Sequence, residues 1–97
     1  MLRPVAMQPP ATRQQVEHLN PELIRNRILT ALPDARVDVR DTTGGGDHFA
    51  ASVVTDAFRG LGAVDRHRAV YAALGELMRG PIHALALETK TLEEDRP

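Results

Sequence analysis

The chain has no cysteine and no tryptophan, and only Phe49, Phe58 and Tyr71 among its 97 residues are aromatic. Without cysteine there is no disulfide and no thiolate nucleophile. Nor can the chain hold an iron–sulfur cluster through its own thiolates, so a cluster bound here takes sulfur ligands from another molecule. The scarcity of large rings leaves Leu, Ile, Val and Ala to fill a core. Charge of one sign is also lacking: twelve basic residues face thirteen acidic ones, for a net charge of −1. That balance argues against nucleic-acid binding driven by bulk charge. No apolar run approaches the roughly 18 residues needed to span a bilayer. The start, Met1-Leu2-Arg3-Pro4, has no continuous apolar segment of the secretory kind. The expectation is a soluble, cytoplasmic protein of one small domain.

What is present reads as an α+β pattern. Residues 1–18 carry Pro4, Pro9 and Pro10 among many polar groups and read as a loosely ordered tail. Asn20-Pro21-Glu22 then has the order of a helix start: a capping side chain, proline at the first helical position and a carboxylate near the positive end. Apolar residues at helical spacing continue to Leu32, and Pro33 stops the run.

Residues 35–41 alternate, with Val37 and Val39 on one face and Arg36, Asp38 and Arg40 on the other. After a glycine-rich loop at 42–47, residues 48–54 read as a returning antiparallel strand with Phe49, Ala51 and Val53 inward. A long helix is predicted over 63–79, with Val64, His67, Val70, Tyr71, Leu74, Leu77 and Met78 on one stripe. Gly80-Pro81 ends it. A third strand is predicted over 82–89, with His83 sharing the parity of Leu85 and Leu87. Residues 91–95 read as one last helical turn. The sum is a three-stranded sheet with helices on one face.

Few residues carry chemistry. Gly44-Gly45-Gly46 lacks the Lys-Ser/Thr of a phosphate loop and opens a strand, so it reads as a flexible hairpin loop. Gly60-Leu61-Gly62 is no dinucleotide fingerprint. Arg66 and Arg68 open the long helix, where the dipole does not favour them; they suit carboxylates or phosphate on a partner as well as plain solvent. His67 lies on the apolar stripe, where a packed histidine is the commoner role. His48 has the opposite parity to Phe49 and belongs on the surface. His83 follows a Gly-Pro break at a strand end, a common place for functional side chains, and fits a structural role equally well. No carboxylate pair, Ser-His-Asp set or His-Glu-x-x-His pattern supports an enzyme.

Three stretches together resemble the BolA-like family: "GGGDHFAASVVTDAFRG", "VDRHRAVYAALGELM" and "IHALALETKT". The likeness covers residues 19–94, and the TGGGDHF form is most similar to bacterial, especially cyanobacterial, members. The resemblance implies an α-β-β-α-β fold of the type II KH kind over residues 19–95. It implies a cytosolic, non-enzymatic adaptor for a monothiol glutaredoxin, with a [2Fe–2S] cluster bridged between glutaredoxin, glutathione and the adaptor. By motif, the histidine of "IHAL" is His83, the family's metal ligand. The family's second ligand is a His or Cys in the loop between the first two strands. Here that loop has neither, and the aligned position falls at Gly45 or Gly46. His48 is near enough to substitute; Asp47 is a harder, poorer donor. Arg66, His67, Arg68, Gly45 and Gly46 are the expected partner-binding residues, and the isolated chain is expected as a monomer or weak homodimer.

Two other functions remain open. One is a nucleic-acid-binding regulator using a basic patch of Arg59, Arg66 and Arg68, with DNA as partner; the Gly-x-x-Gly spacing of KH loops is absent. The other is docking on glutaredoxin without a cluster, through the surface near His83, the glycine-rich loop and Arg66.

Overall fold

A computed structural model describes residues 19–96; the expected tail at 1–18 lies outside the described residues. The first helix, α1 (Pro21–Ala31), begins as the sequence indicates. The Asn20 side chain accepts the Leu23 N–H at 2.9 Å, satisfying one of the donors a helix start leaves open. Ile24 and Ile28, one turn apart, are wholly buried.

Strands β1 (Arg36–Asp41) and β2 (His48–Val54) pair antiparallel, Arg36 opposite Val54 and Asp41 opposite Phe49. The alternation puts Val37, Phe49, Ala51 and Val53 into the core and leaves Asp38 and Arg40 exposed. A short 3-10 turn (Asp56–Phe58) drops Phe58 into the interior. Helix α2 (Ala63–Leu74) follows, then a second 3-10 turn (Gly75–Arg79) and β3 (Ala84–Lys90). The sheet order is β1-β2-β3, with β3 parallel to β2. Both helices lie against one face, where Ile24, Ile28, Val37, Phe49, Val53, Phe58, Val70, Leu74, Leu77 and Ile82 form one cluster. The other face is an open concavity of about 570 Å³ bordered by Asp38, Arg40, Ala50, Ser52, Ala86 and Glu88.

Three expectations are corrected. The second α-helix ends at Leu74, not Arg79. Gly75 has φ +56°, in the region that favours glycine, and its N–H closes on the Tyr71 carbonyl; the chain then reaches Leu77 through a tighter turn. The inward line of α2 is the half-buried Arg66 followed by the buried Val70 and Leu74, at a spacing of four. Val64 is therefore 63% exposed and Tyr71 also faces outward, although both fit a helical stripe. The third strand begins at Ala84, not Ile82. Ile82 plugs the core, its N–H bonded to the Leu77 carbonyl, and His83 precedes the regular pleat, so strand parity does not govern its direction.

Candidate functional site

Parallel pairing places the starts of β2 and β3 at the same end of the sheet. His48 opens β2 and is registered with Ala84, the first residue of β3. His83, one residue earlier, is thereby brought beside His48. The two imidazoles lie 6.0 Å apart between centroids with planes 4° from parallel. Both are solvent-facing: the His83 side chain is 69% exposed and that of His48 44%.

Asp47 joins them. Its Oδ1 is 2.9 Å from His48 Nδ1, and its Oδ2 is 3.6 Å from His83 Nδ1. Its carbonyl accepts the His83 N–H at 2.8 Å. The hydrogen bond from His48 holds the Asp47 carboxyl below its ordinary value, helped by the positive charge that His48 or His83 acquires; desolvation works the other way. Sequence reasoning weighed Asp47 only as a metal donor. The signal for its second role was the Asp-His pair at a strand start.

The glycine-rich loop is held tightly instead of hanging as a flexible hairpin. The Asp41 carboxylate accepts the N–H groups of Thr43, Gly44 and Gly46 at 3.1, 2.8 and 2.9 Å. The Gly45 N–H goes to Thr43 Oγ1. These amides are already committed, so the loop offers no phosphate cradle.

The remaining expected site residues lie elsewhere. Arg66 sends Nε to the Leu61 carbonyl at 2.8 Å and two nitrogens to Glu94, at 2.6 and 3.2 Å. Its guanidinium also lies 5.8 Å from the Phe58 ring centre, and its side chain is 14% exposed. Glu94 sits just past the end of β3 and closes a turn with Thr91: Thr91 N–H to Glu94 Oε1, Glu94 N–H to Thr91 Oγ1. His83 lies before the start of that seven-residue strand. The Arg66 end and the His83 end are therefore separated by about 20 Å, at roughly 3.3 Å per residue.

Arg66 thus straps the C-terminal segment to α2. Beside it, His67 packs edge-on to Tyr71. Arg68 stands 3.9 Å from Asp65, and Arg59 stands 3.6 Å from Asp56. Of the expected residues, the structure brings together His83, His48 and the glycine loop, and sets Arg59, Arg66, His67 and Arg68 apart from them.

The strap gives a pH prediction. The Arg66 guanidinium, then the Thr91 backbone N–H, hold the Glu94 carboxyl down from 4.5 to about 2. A lowered carboxyl stabilises the fold above its unfolded value and loses that contribution as pH falls through the folded one. Arg66→Ala is expected to lower the urea midpoint clearly at pH 6.5. The gap to the parent narrows progressively as pH drops from about 4.5 towards 2. Urea melts of both chains across that range check this; a gap independent of pH would show the strap does not act through Glu94.

Comparison with known proteins follows the same lines. The family model described as BolA-like protein matches residues 17–94. "BolA-like protein 1" of Bos taurus is 39% identical over 75 residues, covering 70% of this chain and 56% of that protein. The chain thus spans about half the length of the mammalian relatives it matches. The Escherichia coli protein named DNA-binding transcriptional regulator BolA is 41% identical over 80 residues, 75% of this chain and 76% of that one. A solved bolA homologue from Coxiella burnetii superposes with a TM-score of 0.67 at 42% identity, covering 78% of this chain and 95% of that one.

Proposed function

We propose a function from one premise: this chain belongs to the BolA-like family. It acts as a cytoplasmic, non-catalytic adaptor that lends the His83 imidazole to a [2Fe–2S] cluster. The sulfur donors come from a monothiol glutaredoxin and its bound glutathione. The observation that carries this reading is the placement of His83. Its ring is exposed at a strand entrance, beside a second imidazole, in a chain that owns no thiol.

The donor set fits such a role. Among the described residues no group of three or more His, Asp or Glu can hold an ion, so His83 and His48 complete a site only with donors from outside. When bound, the cluster would supply one-electron chemistry, at a potential that histidine ligation raises relative to thiolates alone. The chain's own contribution is an imidazole nitrogen, a donor that protons compete for. Such a donor favours passing a cluster on over storing it.

The test is to titrate the chain into cluster-loaded monothiol glutaredoxin and follow native mass and visible circular dichroism together. The expected product is a complex of one chain, one glutaredoxin and one cluster, with a spectrum distinct from glutaredoxin alone. An unchanged spectrum and no mixed mass would refute the reading.

A second reading, DNA binding, is favoured by the likeness to the Escherichia coli protein named as a DNA-binding transcriptional regulator. The arginines proposed for it are each opposed by a carboxylate: Arg59 by Asp56, Arg66 by Glu94 and Arg68 by Asp65. DNA affinity falling steeply with salt would support it over the adaptor.

A further inference from the structure

Asp47 holds the proposed metal donor through both its main chain and its side chain. Its carbonyl oxygen accepts the N–H of His83 at 2.8 Å and of Ala84 at 3.3 Å, fixing where β3 begins. Its carboxylate faces Nδ1 of both imidazoles, at 2.9 Å for His48 and 3.6 Å for His83. An ionised carboxylate has no hydrogen to give, so the 2.9 Å hydrogen bond requires the hydrogen on Nδ1 of His48, and at 3.6 Å the negative carboxylate favours the same arrangement in His83. The lone pair of the neutral ring is then left on Nε2, on the side turned away from Asp47. Histidine without such a partner carries its proton mainly on Nε2, where it blocks that nitrogen as a ligand.

We propose that Asp47 is a positioning residue for His83: its carboxylate selects the Nδ1–H tautomer and the ring orientation that leave Nε2 open to metal. This rests on the reading of His83 as a donor to a partner's cluster, but the tautomer is a property of the metal-free chain. Histidines that bind metal commonly give their other N–H to a carboxylate or carbonyl, which fixes the ring and raises its basicity. The two distances divide the work. At 2.9 Å His48 is hydrogen-bonded and anchors the carboxylate. At 3.6 Å His83 is guided by charge and retains freedom to adjust when metal arrives.

The experiment reads tautomers directly. Two-bond 1H–15N spectra of the 15N-labelled, metal-free chain at about pH 8, where free imidazole is neutral, distinguish protonated from bare ring nitrogens. The expected result is a His83 population mainly protonated on Nδ1. In Asp47→Ala the proton returns mainly to Nε2, while Asp47→Asn, which keeps an acceptor oxygen without charge, retains part of the parent pattern. Amide dispersion reports the fold of each variant. With cluster-loaded glutaredoxin, Asp47→Ala is expected to weaken capture about 10–100-fold.

A parent His83 protonated mainly on Nε2 overturns the proposal, even if no variant folds. So does an Asp47→Ala tautomer that matches the parent. A His83→Ala chain that still gives the mixed complex's spectrum overturns the functional reading instead, and leaves the tautomer result standing.

Discussion

Replacing His83 with alanine is expected to erase the mixed complex's visible absorption and circular dichroism while leaving the chain folded. The two effects separate because of how the residue is held. Its backbone N–H bonds to the Asp47 carbonyl, and alanine keeps that bond. Its side chain is 69% exposed, touches Asp47 only at ion-pair distance and buries no apolar surface in the core. Surface substitutions of this kind change stability by about 0.5 kcal/mol or less. In a domain of this size that is about 2–4 °C in melting temperature.

Ligation has no such reserve. With no thiol in the chain, and with the His48 side chain 44% exposed against 69% for His83, the nitrogen lost is the one best placed to reach a partner. His48→Ala is expected to weaken the signature without abolishing it, and His67→Ala, on the outer side of α2 beside Tyr71, to leave it intact. Recording all three spectra against thermal melts separates ligation from folding. A His83→Ala complex with the parent spectrum would remove the basis of the proposed function.

Much of the fold is legible in local chemistry. Asn20-Pro21-Glu22 marks the start of α1, and strict alternation marks β1 and β2 at the positions where they form. These signals are local, and each carries its own cause: a cap, a fixed φ, a pleat of period two. What escaped depends on distant partners. Val64 and Tyr71 satisfy a helical stripe as well as Val70 does. Only the packing of Arg66 on Phe58 and Glu94, the latter 28 residues away, settles which line of α2 turns inward. Gly75 could have been read as a stop, but a glycine within a helical pattern is also tolerated at about 1 kcal/mol.

The candidate site was half legible for the same reason. His83 stood out as a histidine after a Gly-Pro break. Its neighbourhood with His48 was suggested by the family resemblance alone and not by local pattern, because it follows from β3 running parallel to β2, a non-local choice. The arginines at the start of α2 looked like a free cationic surface until Glu94 and Asp65 were placed beside them. Asp47 matters through its geometry to two rings, of which the sequence shows only the adjacent one, in the Asp47-His48 pair.

Gly45→Cys is expected to give the chain the second ligand that its glycine-rich loop lacks, and to slow cluster release from the mixed complex by more than about tenfold, on the scale at which lesser changes around a metal already cost 10–100-fold. The choice of position is geometric. Gly44 and Gly46 have φ of +82° and +79°, so any side chain there is strained. Gly45 has no such φ, and a Cβ built on it meets Asp47 Oδ1 and Thr43 Oγ1 at 3.4 Å, ordinary contact. A side chain at 45 therefore starts beside the carboxylate that faces both imidazoles. In the metal-free chain Asp47 repels a thiolate there, which keeps the cysteine protonated until a cation offsets the charge. On the cluster the thiolate is the softer donor and binds iron well. It should also lower the reduction potential relative to the parent complex, whereas Gly45→His, which adds an imidazole, should not. Stopped-flow transfer to an apo acceptor and redox titration of the three complexes measure both effects. Equal release rates for parent and Gly45→Cys would mean that the loop does not face the cluster, and that His83 reaches it from a side the glycine-rich turn does not share.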